Sequence, residues 1–191
     1  MRHGAPAMPY EAFGAMSGRS LEELFRAARP ELTDDEVLVY RTAYREIYER
    51  EAIPATRFYP GALATLRAFR RAGLLQATVT GKRAADCERI LRGLGIAAEI
   101  DVFLGGDSVA RPKPAPDLAL LAMERLGARP EETVVVGDTR NDMQMGKAAG
   151  ARTLLVLWGY ERDAVPEADE VVRTWKDLRD RILRQRGALR S

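Results

Sequence analysis

The sequence predicts a doubly wound, parallel α/β sheet with an all-helical N-terminal segment, and three observations predict it. From Pro60 onward, short apolar stretches alternate with amphipathic, helix-like ones, the pattern of successive βαβ units. Val134, Val135 and Val136 are apolar without alternation, which suits a strand covered on both faces. Residues 1–58 carry only helical signals, so they stand apart from residues 59–191, which hold the α/β core.

Each element has its own signature. Ser20 to Glu23 ("SLEE") and Thr33 to Glu36 ("TDDE") are capping-box patterns that open helices. In the second helix Val37, Tyr40, Tyr44, Ile47 and Tyr48 follow an i, i+3, i+4 stripe, read as a packing face, with a substrate-facing tyrosine as the alternative. "PGALATLRAFRRAG" is a helix with proline near its start and Gly73 at its stop. "LLQATVT" is a strand ending at Thr80, "RAADCERILRGLG" a helix, "IDVFLGGD" a strand and turn, and "APDLALLAMERLG" a helix. After the valine strand, Asp142 to Ala149 reads as a helix stopped by Gly150, and "ARTLLVL" is the next strand. A short "DEVV" strand and a helix from Trp175 to Arg186 complete the pattern, with Trp158 and Trp175 packing on or edging the sheet.

Composition excludes several function classes. At 191 residues the chain suits one domain with an insert, and 46% hydrophobic with 30% charged residues is ordinary for a globular protein. A net charge of +2, without a Lys/Arg block, gives no reason to expect a nucleic-acid partner. No apolar run is long enough to span a membrane, and no signal peptide is expected. Cys87 is the only cysteine, so no intramolecular disulfide forms, and a cytoplasmic location is expected. His3 is the only histidine, which rules against a Ser-His-Asp triad or a histidine-rich metal site. Neither GxGxxG nor the P-loop pattern occurs.

Chemistry-bearing residues gather at strand ends instead. Thr80 closes one strand in "VTGKR", Lys113 sits in the proline-stiffened "RPKPAP", and Asp138 and Asp142 follow the valine strand. In parallel sheets the carboxyl ends of the strands carry the ligand. A hydroxyl, an ammonium and two carboxylates together suit one task, holding a phosphoryl group beside Mg²⁺. Carboxylates are the hard oxygen ligands that ion prefers. The Thr80 hydroxyl and the Gly81 amide can bind phosphate oxygens, while Lys113 offsets charge that builds up in transfer. Alternatives stay open at this point: Asp142 as a mere helix cap, Asp138 as a turn former, Lys113 as a solvated loop lysine. Only four lysines occur in the chain, and Lys82 and Lys113 both fall in these loops.

These motifs resemble those of the haloacid dehalogenase-type (HAD) phosphatases, near the phosphoglycolate phosphatase and β-phosphoglucomutase branch. "VTGKR" is similar to that family's second motif, "RPKPAPD" to its third and "VVVGDTRNDMQMGKAAG" to its fourth. The resemblance implies a Rossmann-like core with an α-helical cap in residues 1–58. It implies a Mg²⁺-dependent phosphomonoester hydrolase acting on a small phosphorylated metabolite, phosphoglycolate-like, through an aspartyl-phosphate. Thr80 and Gly81 would bind phosphate, and Lys113 would steady phosphate and nucleophile. Asp138 would ligate Mg²⁺ and Asp142 would hold the metal or its waters. Arg19, in "SGRSLEE", is a candidate contact to a second anionic group, with a plain surface arginine as the alternative.

One departure is large. The family's first motif carries two aspartates, nucleophile and general acid/base, at the end of an apolar strand that precedes the cap. Here no aspartate occurs before Asp34 and no apolar strand precedes residue 14. The first strand is therefore expected to be absent and the chain, as written, inactive. It reads as beginning late, through a mis-assigned start or a truncation. A segment supplied by another chain, or a relative that has lost its nucleophile, would leave the same pattern. The missing strand would lie mid-sheet, between the strands ending at Thr80 and Asp138. Its handful of buried aliphatics, at about 1.5–3 kcal/mol each, would contribute on the order of 10 kcal/mol. That matches the whole stability of a domain, about 5–15 kcal/mol. A monomer or homodimer is expected, with strand exchange possible at the open edges. A non-catalytic relative that binds a phosphorylated ligand or a partner is the alternative function. A phosphate-receiver domain is a third, disfavoured because it has no place for a helical cap.

Overall fold

The computed structural model describes residues 21–188, so His3, Arg19 and the Ser20 cap lie outside it. The chain divides into two units, Met1–Pro54 and Ala55–Ser191.

In the first unit helices α1 (Leu21–Ala28) and α2 (Asp34–Ala55) are described. The capping box at Thr33 forms: Thr33 N donates to Glu36 Oε2 at 2.9 Å, and Glu36 N returns to Thr33 Oγ1 at 3.3 Å. Phe25 meets Tyr40 with ring centroids 5.7 Å apart, and Tyr44 stacks on Tyr48 at the same distance. The predicted stripe is thus only partly a packing face. Val37 is buried, but Tyr44 and Ile47 are exposed.

The second unit runs α3 (Ala62–Arg71), β1 (Ala77–Val79), α4 (Ala84–Gly93), β2 (Val102–Leu104), α5 (Asp117–Leu126), β3 (Val134–Gly137), α6 (Arg140–Ala148), β4 (Arg152–Val156), β5 (Glu170–Val172) and α7 (Trp175–Ala188). Every element predicted from Pro60 onward is present. All pairings are parallel, but the sheet comes in two pieces, β1–β2 and β3–β4–β5. Val79 pairs with Leu104 in the first piece, and Val135 with Thr153 in the second. Among the described residues no strand joins β1 to β3.

Two apolar clusters cover the faces of the second unit. Leu104 of β2, Leu118 and Met123 of α5, Val135 of β3 and Met145 of α6 form one, so both sheet pieces share a core under α5 and α6. Phe69 of α3, Leu154 and Val156 of β4, Val172 of β5 and Leu178 of α7 form the other. The valine strand departs from the expectation that both its faces are covered. Val135 is 6% exposed, yet Val136 is 38% exposed, because its edge of β3 has no described neighbour. No helix of the described residues is long and apolar enough to cross a membrane.

Candidate active site

The site starts at the end of β3, where Gly137 lets the strand pass against Asp142. A β-carbon on Gly137 would sit 2.3 Å from Asp142 Cβ, closer than atoms approach. Two residues on, Thr139 caps α6. Its hydroxyl accepts from Asp142 N at 3.3 Å, while Asp142 Oδ2 accepts from Thr139 N at 3.0 Å and from Thr139 Oγ1 at 2.6 Å. The helix therefore begins at Arg140, not at Asp142 as its sequence suggested, and Asp142 occupies the third helical position of a capping box. A carboxylate that returns to the cap's own N–H is held inside the first turn, which is why the helix starts earlier.

Asp142 does more than cap. Its other oxygen, Oδ1, accepts from Lys113 Nζ at 2.6 Å. The two side chains are 13% and 8% exposed, so this is a buried, charge-assisted ion pair. Lys113 follows β2 and Asp142 follows β3, so this contact shows both sheet pieces presenting their carboxyl ends to the same place. Lys113 is not a solvated loop lysine.

Asp138 sits beside this pair. Its Oδ2 accepts from Tyr160 N at 3.0 Å and its carbonyl accepts from Glu161 N at 3.0 Å, both from the turn after β4. Burial pushes the Asp138 carboxyl above its ordinary range, and the charge of Asp142 pushes the same way. The Tyr160 N–H and Lys113 pull it back. Gly159 makes room for this: a β-carbon there would lie 2.2 Å from Asp138 Oδ2.

Thr80 and Gly81 lie just past β1, the strand paired to β2. Thr80 N donates to Leu104 O at 3.4 Å, and Thr80 Oγ1 accepts from Lys82 N at 3.3 Å. Among the described residues no hydrogen bond links Thr80 to Lys113 or Asp138. The structure thus gathers Lys113, Asp138 and Asp142, and sets Thr80 and Gly81 at the neighbouring strand end. Arg19 lies outside the described residues.

The donor set suits a hard cation. A half-buried carboxyl raised by desolvation and by a second carboxylate is relieved when a cation binds. Among the described residues no group of three or more His, Cys, Asp or Glu side chains gathers that could hold a metal ion. Thr139 and the Gly159–Tyr160 turn escaped the sequence reading. Thr139-x-x-Asp142 is a variant of the capping pattern and could have been found. A backbone donor such as Tyr160 N carries no residue signature.

Comparison with known proteins shows which family the chain resembles. The model of the haloacid dehalogenase-like hydrolase family matches residues 2–156. A probable phosphatase, IndB, of Dickeya dadantii is 35% identical over 160 residues, covering 80% of this chain and 69% of that protein. The phosphoglycolate phosphatase of Salmonella typhimurium is 35% identical over 148 residues, 76% of this chain. The match spans only 59% of that protein's length. Among solved structures, a haloacid dehalogenase-like hydrolase from Bacteroides fragilis superposes with a TM-score of 0.82 at 26% identity, covering 93% of this chain and 86% of that one.

Proposed function

The chain belongs to the haloacid dehalogenase-like hydrolases, and from that premise we propose that its site handles the phosphoryl group of a small phosphorylated metabolite in Mg²⁺-dependent phosphomonoester hydrolysis. The observation that carries the reading is the half-buried Asp138 carboxyl set beside the buried Lys113–Asp142 ion pair. Asp138 would hold Mg²⁺, with Asp142 holding the metal or its waters. When bound, that ion supplies neutralisation of charge on the phosphoryl oxygens. Lys113, fixed by Asp142, presents a second positive charge to the same oxygens, and Thr80 Oγ1 and Gly81 N–H give them hydrogen bonds. The ester is opened by a carboxylate other than Asp138 and Asp142. That carboxylate would attack phosphorus and form an aspartyl-phosphate as the P–O ester bond breaks. A second acid of the first-motif type would give the leaving oxygen its proton, and the same group would then take a proton from the water that hydrolyses the acyl phosphate to inorganic phosphate. The substrate class is phosphoglycolate-like, after the relatives matched above.

One observation favours a second reading, a non-catalytic relative that binds a phosphorylated ligand or a partner: among the described residues no third acid joins Asp138 and Asp142. A side-by-side assay on p-nitrophenyl phosphate with Mg²⁺ separates the two. These 191 residues should turn over negligibly, since loss of a nucleophile costs on the order of 10⁶-fold in a well-studied hydrolase. A form lengthened upstream by an apolar strand ending in Asp-x-Asp should turn over, and inactivity of that form would favour the binding reading. Equal rates would place the nucleophile among the present residues and overturn the scheme.

A further inference from the structure

At the carboxyl ends of β4 and β5 a cleft of about 240 Å³ is lined by Tyr59, Pro60, Trp158, Arg173, Thr174 and Trp175. It shares no lining residue with the site at Lys113, Asp138 and Asp142. Its walls are aromatic: Trp158 and Trp175 lie with ring centroids 5.0 Å apart at 39°, and Tyr59 is 53% exposed across from them. Gly61, at φ 93°, lets the chain enter α3 directly against Trp175, whose Cβ would be 3.0 Å from a β-carbon there. The indole pair is thereby seated by backbone on one side and by the apolar cluster of β4 and α7 on the other.

The one charged side chain lining the cleft is the exposed Arg173. Arg173 makes no ion pair among the described residues, and Trp175 Nε1–H is buried without an acceptor. Thr174 Oγ1 accepts from Asp177 N at 3.1 Å and keeps its own proton to give. Asp177, the acid of the first turn of α7, is engaged by Arg181 at 2.8 Å. Flat apolar walls with an unneutralised guanidinium at the rim select a ring that carries negative charge. The cleft is partly open to solvent, and its volume of about 240 Å³ leaves room for one ring with its acidic substituent at the rim.

We propose that this cleft is a second binding site, for a small planar aromatic anion of the aryl carboxylate class. Trp158 and Trp175 are the only two tryptophans in the chain, so intrinsic fluorescence reports directly on it. The test is a fluorescence titration of the full chain with benzoate, beside cyclohexanecarboxylate and benzylamine, repeated with Arg173→Ala and Tyr59→Ala. Both substituted side chains are exposed, and circular dichroism checks that the variants fold. Benzoate should change the emission saturably, with a Kd of about 1 mM or tighter. Cyclohexanecarboxylate, and benzoate with Arg173→Ala or Tyr59→Ala, should each bind at least about tenfold more weakly. Benzylamine should give no saturable change, and phosphate with Mg²⁺ should leave the benzoate curve where it is. No saturation by benzoate, an equal response to benzylamine, or undiminished binding by Arg173→Ala would overturn the proposal. Displacement by phosphate would overturn it as well, by placing benzoate in the phosphoryl site.

Discussion

Asp142 accepts hydrogen bonds on both oxygens, from Lys113 on one and from Thr139 on the other, and so ties the loop after β2 to the start of α6. Asp138, beside it, accepts from the Tyr160 N–H and has a carboxyl that burial holds above its usual range. A raised carboxyl keeps its proton longer in the folded chain than in the unfolded one. Stability therefore falls as pH rises from the ordinary carboxylate pKa through the raised one, and the penalty is complete above it. Asp138→Asn keeps an oxygen for Tyr160 N–H and removes that charge. In EDTA the variant should melt higher than the parent at pH 7, with the difference fading toward pH 4, while calorimetry shows weaker Mg²⁺ binding. A lower melting point at pH 7 together with unchanged Mg²⁺ affinity would move the metal to other residues. Sequence made the types and spacing of these residues legible. It could not show that Asp142 spends both oxygens on protein partners, because that depends on a lysine 29 positions away in the chain.

At the scale of elements, β3, α6 and β4 form one βαβ unit in which the helix rests on both strands at Gly146. A β-carbon there would meet Thr153 Cγ2 at 2.6 Å and Val135 Cβ at 2.9 Å, so the helix lies as close to the strands as glycine permits. Gly146→Ala gains some helix propensity, up to about 1 kcal/mol, but overpacks a contact with two β-branched side chains, at about 1–3 kcal/mol. The net effect should be a melting point several degrees lower, read by circular dichroism at 222 nm. A melting point unchanged or raised would mean that α6 can lift off the sheet at no cost. The order of these elements was legible because apolar runs, glycine stops and capping patterns are local signals. The true start of α6 was not, since Asp142 looks like a cap by itself and becomes a third-position residue only once Thr139 is folded above it. Nor was the aromatic cleft, whose two indoles come together only when β4 and β5 are paired.

For the molecule as a whole, the division of the sheet is the feature with the widest consequence. The expectation of a sheet open between Thr80 and Asp138 matches the two pieces seen among the described residues, and it was legible because the alternating pattern from Pro60 onward offers no further apolar run to lie between them. The exposure of Val136 follows from the same gap and was not legible, since three consecutive valines read as fully covered. Successive N–H groups along a strand point to opposite sides, so β1 and β3 each turn every second amide toward the gap. Those amides have no partner strand among the described residues, while β4 is paired on both sides and its Leu154 and Leu155 are fully buried. Deuterium uptake should therefore be striped: fast and slow amides alternating along β1 and β3, and uniformly slow ones along β4. Residue-resolved exchange by NMR reads this directly, and uniform protection along β1 and β3 would mean that in solution something lies between them. A chain with such a stripe carries a record, written in isotope, of the side on which each of these strands meets no neighbour.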